Sequence, residues 1–356
     1  MMLESWSDKN QPAAPTPAPG YVYDPVYLEH DTGDHPESSR RLEAIISGLD
    51  MKFIRQQLKL IPARPATLDE LTTVHQAEYI SRIEAFCRQG GGVWDGDTFM
   101  SRGSYKAALY AAGGSIAAVE AVIKKSVPGA YALIRPPGHH ATSSNAMGFC
   151  LFNNIAIAAN YALKTFQMTR VLIIDFDVHH GNGTQEAFTF NSNVLYISMH
   201  QHPLFPGTGH LDEPSNAGTA INVPLPGGCG DIEYKQVFDE IVVPAAQKFK
   251  PELILVSAGY DGHWADEMSN MRLTLDGYFY ITQVIQQLAN EFCGGRMVFC
   301  LEGGYDLKVL SSAVNATFSL WLGDKYFDDP LGKPPHLLSP HGVPALIAAI
   351  KKRHGL

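Results

Sequence analysis

The chain has 356 residues, of which 45% are hydrophobic and 18% charged, enough apolar material for a sizeable core and too little charge for a disordered or coiled-coil protein. Twenty-seven Lys and Arg against 36 Asp and Glu give a net charge of −9, which argues against a nucleic-acid-binding surface. Five cysteines, an odd count without CxxC spacing, indicate neither a disulfide framework nor a thiolate zinc site. In chain order, residues 1–20 read as a flexible arm rich in Pro and Ala, and residues 21–356 as one domain. A helix is expected over Ser104–Lys124, then a strand over Tyr131–Ile134, a helix over Asn153–Thr165, and strands over Val171–Phe176 and Val194–Ser198. A helix over Ile232–Phe249, a strand over Leu253–Ser257, a helix over Asp276–Asn290 and a strand over Met297–Leu301 complete the series. Near-continuous apolar strands alternating with helices predict a single α/β domain, its mostly parallel central sheet flanked by helices. The N-terminus shows no basic and apolar signal pattern, and no uninterrupted apolar run reaches bilayer length, so a cytoplasmic chain with no membrane partner is expected.

In such sheets ligands gather beyond the carboxyl ends of the strands. Those tips read Arg135-Pro-Pro-Gly-His139-His140, Asp175-Phe-Asp177-Val-His179-His180, Met199-His200, Ala258-Gly-Tyr-Asp261 and Glu302-Gly-Gly-Tyr305. Strand alternation puts Asp175, Asp177 and His179 on one side, an arrangement costly without a cation between the acids. Asp261 is a natural third ligand beside Asp177 and His179, leaving an open position for water, as in a catalytic site. Zn²⁺ leads, while ligand type leaves Fe²⁺, Co²⁺ and Mn²⁺ open. Asp175 is placed to fix the tautomer of a catalytic histidine. His139 and His140, after a stiff turn, are candidates for proton transfer, worth about 10²–10⁴ in rate. Tyr305 follows two glycines that would free its phenol to swing toward a substrate oxygen. Met147-Gly148-Phe149 and Phe205-Pro-Gly-Thr-Gly place aromatics beside glycine, read either as walls of a channel for a slender aliphatic chain or as core rings under a loop.

The ordered set RPPGHH, GFCLFNN, DFDVHHGNGTQ, FPGTG, SAGYD and EGGY, preceded by HDTGDHPESSRRLEAI, resembles the zinc-dependent histone deacetylase and deacetylase-like amidohydrolase family, which includes acetylpolyamine amidohydrolases. Asn182 in His-His-Gly-Asn-Gly is similar to the class II branch and its bacterial relatives. The resemblance implies an arginase/deacetylase-type fold and hydrolysis of an N-acyl amide, usually acetyl, on a lysine side chain or a small amine. It implies Asp177, His179 and Asp261 as zinc ligands, His140 as general base, His139 as electrostatic partner or acid backed by Asp175, and Tyr305 as the donor that polarises the acyl carbonyl. Gly148, Phe149 and Phe205 would line the tunnel and Met268 its rim, where Asp266-Glu267-Met268 replaces the common Asp-Pro-Leu; Asp97 would be a rim carboxylate. The resemblance also implies K⁺ at Asp175, Asp177, His179, Ser198 and Met199, and again near Phe188, Asn191 and Val194. Asn182 in place of an acid should lower the pKa of the second histidine. Which histidine acts as acid stays open, as does the oligomeric state, with homodimer and homotetramer the candidates. An arginase-like binuclear Mn²⁺ ureohydrolase and a non-catalytic acyl-lysine binder are the alternatives.

Overall fold

The computed structural model describes residues 17–213, 219–324, 327–336 and 340–356. Ten strands are present among them: β1 (Gly20–Val22), β2 (Lys59–Ile61), β3 (Gly91–Val93), β4 (Phe99–Ser101), β5 (Ala130–Ala132), β6 (Val171–Asp175), β7 (Val194–Gln201), β8 (Ala220–Leu225), β9 (Leu253–Ala258) and β10 (Met297–Leu301). Eight form one parallel sheet in the order β2-β1-β5-β10-β9-β6-β7-β8, and β3 and β4 form a separate antiparallel pair. Every residue of β5, β6, β7, β9 and β10 is buried, as expected where helices cover both faces of a parallel sheet. A single α/β domain with a helix-flanked parallel sheet is therefore what the chain builds.

Helix Ser104–Ile123 packs on Asn154–Thr165, and Arg40–Met51 packs on Leu307–Trp321, which in turn meets Leu275–Phe292. Ser104–Ile123, although its apolar residues are not unbroken, has the length and apolarity of a bilayer span, and here most of it is buried among protein neighbours. The helix expected over Ile232–Phe249 exists, but a π-turn over Phe238–Val242 separates Asp231–Val237 from Val243–Phe249.

Three sheet strands lie outside the expected set. β1 and β2 are too short for an apolar run to register. β8 contains Pro224, which an edge strand tolerates because one of its sides needs no ladder bond. Gly20 already belongs to β1, and the Lys59 amide donates to Pro19 O at 2.8 Å, so Pro19 and Gly20 are tied to the sheet; residues 1–16, the rest of the expected arm but for 17 and 18, lie outside the described residues. The expected strand Tyr131–Ile134 is shifted, with the ladder at Ala130–Ala132 and Ile134 leading directly into Arg135.

The strand order explains how distant segments meet. The tips after β5, β10, β9, β6 and β7 are neighbours along one sheet edge, and Asp175 pairs laterally with both Ser257 and Ser198.

Candidate metal and proton-transfer site

β6 ends at Asp175, so strand alternation does not account for the grouping of residues 175–179. A turn does. The Asp177 amide donates to Asp175 Oδ1 at 3.2 Å, and the His179 amide to Asp177 Oδ1 at 2.9 Å. Carboxylates accepting from the backbone two residues on hold this turn. They swing Asp177 and His179 toward Asp261, whose Oδ1 accepts from the Val178 amide at 3.0 Å.

Asp177, His179 and Asp261 place one ligand atom each within 4.8 Å of one another, and all three side chains are buried. His179 Nδ1 lies 3.1 Å from Asp177 Oδ1 and 3.1 Å from Asp261 Oδ2. Among the described residues the ion-pair partners of these two acids are histidines only. Burial and the charge of Asp177 push the Asp261 carboxyl up, while burial opposes the His179 cation and the two acids outweigh it, raising that ring. Two buried carboxylates with so little positive charge nearby suit a divalent cation.

Gly303 shows the same close approach from the other side. Its amide donates to Asp177 Oδ2 at 2.8 Å, and a Cβ there would stand 2.2 Å from Asp261 Oδ2 and 2.6 Å from Asp177 Oδ2. Gly303 thus lets backbone reach the acids and does not free the phenol. Tyr305 is held: its amide donates to Asp266 Oδ2 at 2.6 Å, Phe149 packs edge-on with ring centres 5.8 Å apart, and the Arg41 guanidinium carbon lies 5.0 Å from the ring centre. Its hydroxyl takes no hydrogen bond among the described residues. Burial raises its pKa well above the usual phenol value, against the opposing Arg41 charge.

The two adjacent histidines have different partners. His139 Nδ1 is 3.0 Å from Asp175 Oδ2, which also accepts from the Tyr196 hydroxyl at 2.9 Å. His140 Nδ1 is 2.9 Å from Asn182 Oδ1. Burial disfavours the cation in both. For His139 the charges of Asp175 and Asp177 overcome it and raise the pKa; for His140 the neighbouring His139 and His179 reinforce it and hold the pKa well below the usual imidazole range. His180, by contrast, is satisfied by Thr208 Oγ1 at 2.8 Å and Gln185 Oε1 at 3.0 Å.

A pocket of about 100 Å³ joins these groups, lined among others by Asp97, His139, His140, Gly148, Phe149, Asp177, His179, Phe205, Met268 and Tyr305. Gly148 has φ +54°, and a Cβ there would come 2.4 Å from His140 Cδ2 and 2.8 Å from Phe205 Cε1. Phe205, partly exposed, packs edge-on against His140 with ring centres 5.1 Å apart, so Phe149 and Phe205 line the pocket beside Tyr305 and His140 respectively. Asp97 follows the β3 strand, and its carboxyl is raised by burial and by Asp95. A larger groove of about 570 Å³ between Lys52 and the helix Leu307–Trp321 contains none of these groups, so size does not locate the chemistry.

Ser198 and Met199 lie in β7, where Ser198 Oγ sits 2.9 Å from His200 Nδ1. Phe188, Asn191 and Val194 share one turn: the Asn191 amide donates to Phe188 O at 3.0 Å and the Val194 amide to Asn191 O at 3.2 Å.

Several groups that shape the site have no role assignable from their local sequence alone. Glu302, fully buried, accepts from the Gly138 amide at 2.7 Å and the His139 amide at 3.2 Å, holding the histidine tip from behind; burial pushes it up to about 7. Its place at a strand tip was the available signal. Asp266 was read only as rim, and Arg41 and Glu37 only as part of an N-terminal pattern, although their i,i+4 spacing favours a pair.

Comparison with known proteins follows the same lines. A profile of the histone deacetylase domain matches residues 35–321. The chloroplastic histone deacetylase 14 of Arabidopsis thaliana is 42% identical over 330 residues, 87% of this chain and 78% of that protein. A probable deacetylase of Archaeoglobus fulgidus is 40% identical over 295 residues, covering 81% and 82% of the two chains. A histone deacetylase-like amidohydrolase of Pseudomonas aeruginosa is 38% identical over 304 residues, covering 84% and 79%. The crystal structure of the HDA15 HD domain superposes with a TM-score of 0.86 at 34% identity, over 95% of this chain and 94% of that one.

Proposed function

Because this chain belongs to the histone deacetylase family, and is therefore a hydrolase of amide bonds, we propose that it removes an acyl group, foremost acetyl, from an acylated amine such as acetyl-lysine or a small acylated amine. The observation that carries this reading is a narrow pocket lined by Asp177 and His179, with Asp261 clustered against them, by two histidines with unlike partners and by a phenol. Asp177, His179 and Asp261 would hold the metal, zinc in our reading. When bound, such an ion lowers the pKa of water to about 7 and polarises a carbonyl.

The chain's own residues do the rest. Phe149, Gly148, Phe205 and Met268 would grip the methylene chain and exclude water. Asp97 at the rim would orient the substrate backbone or amine. Tyr305 donates a hydrogen bond to the acyl oxygen and holds the negative charge that develops there. His140, kept neutral by its surroundings, is suited to take the proton from the attacking water. His139, made a cation by Asp175, is suited to protonate the departing amine, so water and amide become carboxylate and free amine. The two rings titrate as a coupled pair. We also propose potassium at Asp175, Asp177, His179, Ser198 and Met199, and at Phe188, Asn191 and Val194.

Acetate release from acetylated lysine peptides, acetylputrescine and acetylspermidine, measured beside metal content, tests the reading. One zinc per chain and release from at least one substrate are expected. Two manganese ions per chain would favour a ureohydrolase, and metal-loaded protein inert toward every acylated amine would favour a binding module.

A further inference from the structure

The catalytic reading leaves one buried ionic cluster without a task. Glu37, Arg41 and Arg135 are all fully buried. Glu37 receives the Arg135 fork on both oxygens, Nε on Oε1 and Nη2 on Oε2 at 2.8 Å. Arg41 Nη1 donates to the same Oε1 at 3.3 Å, and His30 Nε2 lies 3.2 Å from Oε2. The remaining donors of each arginine go to backbone. Arg135 donates to Tyr27 O and His30 O, both at 3.1 Å. Arg41 donates to Gly304 O at 2.8 Å and to Glu302 O.

We infer that Glu37 is a positioning residue of the hydrolase: through Arg135 and Arg41 its single carboxylate fastens the loop bearing His139 and His140 and the loop bearing Tyr305 to one common point. The inference rests on the proposed catalytic roles of those three residues. Arg135 opens the Arg135-Pro-Pro-Gly-His139-His140 segment, and Arg41 grips the carbonyls on either side of Gly303 while lying against the Tyr305 ring. A carboxylate has about four lone-pair sites, enough to serve both guanidinium groups and the histidine. Without it two buried cations face each other with no shared acceptor, and each loop would relax toward its own backbone partners. The distance between proton-transfer groups and phenol would then drift. A misplacement of about 1 Å can cost about 10²-fold in rate. A salt bridge that only supports the fold would lower stability and leave turnover per folded chain intact.

The test compares full-length, metal-loaded wild type with Glu37→Gln and Glu37→Asp on an acetylated substrate that wild type hydrolyses, at a temperature where circular dichroism shows each variant folded. For Glu37→Gln, kcat should fall about 10²-fold, with KM within about threefold and metal content equal to wild type. Glu37→Asp, which keeps the charge, should fall between the two. The inference is overturned if kcat per folded chain of Glu37→Gln stays within about twofold of wild type, if the loss is confined to KM, or if metal is lost in step with activity. Should Glu37→Gln not fold, Glu37→Asp decides: its kcat per folded chain should lie more than about threefold below wild type with metal content unchanged, and a value within about twofold overturns the inference. A wild type inert toward every acylated amine overturns the catalytic reading, and this inference with it.

Discussion

Replacing Tyr305 by Phe removes one oxygen and leaves nearly everything else that positions the ring. The backbone amide keeps its 2.6 Å bond to Asp266, Phe149 keeps its edge contact, and Arg41 keeps its place over the ring. The hydroxyl takes no hydrogen bond among the described residues, so its removal strands no buried partner and stability should change by no more than about 1 kcal/mol. What is lost is the proposed donor to the developing oxyanion. Such a donor is worth roughly 2.7–4 kcal/mol, or about 10²–10³ in kcat. KM should stay within about threefold, because Phe149, Phe205 and Met268, which line the pocket and are proposed to grip the substrate, are unchanged. Steady-state acetate release from an acetyl-lysine peptide, with thermal melts as control, measures both effects. A kcat within about threefold of wild type, in protein of normal melting temperature, would refute the assignment of Tyr305 as oxyanion donor.

Other expectations follow from the same geometry. Gly303→Ala would press a methyl against Asp177 and Asp261, so metal affinity should fall about 10–100-fold, read by competition with a chelating dye; unchanged affinity would mean that these carboxylates are not the ligands. Asn182→Asp places a carboxylate against His140 Nδ1, which favours the imidazolium. Since His140 must be neutral to accept a proton, the acid limb of the kcat profile should move to higher pH by about one unit or more; an unmoved limb would exclude His140 as the base. Burial pushes the Glu37 carboxyl up, but Arg135 and His30 outweigh it and hold the group well below the usual range. Its stabilisation is therefore fully present above the unfolded value of about 4.3 and is lost as pH falls toward the folded value. Acid unfolding of Glu37→Gln should accordingly be less steep below about pH 5 than that of wild type, and parallel curves would contradict the pairing. Dialysis against a chelator should abolish hydrolysis while far-ultraviolet dichroism stays native, with zinc restoring activity.

The parts of the molecule legible in the sequence are those whose signal is local. β6, β9 and β10 announce themselves because strands buried on both faces must be apolar throughout, and their tips stand out because acids and histidines there break that pattern. β1, with three residues, carries no period to read, and nothing in Ile232–Phe249 marks the π-turn. The same division runs through the site. Asp177, His179 and Asp261 could be paired from their strand ends, although the turn after Asp175, and not alternation, brings the first two together. Glu37 and Arg135 could not be paired, since their bond spans 98 positions and depends on a burial that only the assembled fold creates. Asp97 was legible by resemblance alone, its reach into the pocket being a property of the β3–β4 loop.

The adjacency of the β5, β10, β9, β6 and β7 tips has a consequence for how the protein acquires its activity. Groups that must cooperate arise from residue 139 to residue 305, so no early-forming contiguous fragment contains the whole set. Contacts of such sequence separation close late, because loop-closure entropy must be overcome before they add stability. Catalysis in this architecture should thus require the tips from residue 139 to residue 305 to be docked together. During refolding, turnover should appear with the slowest long-range docking event, after secondary structure has reached its native level.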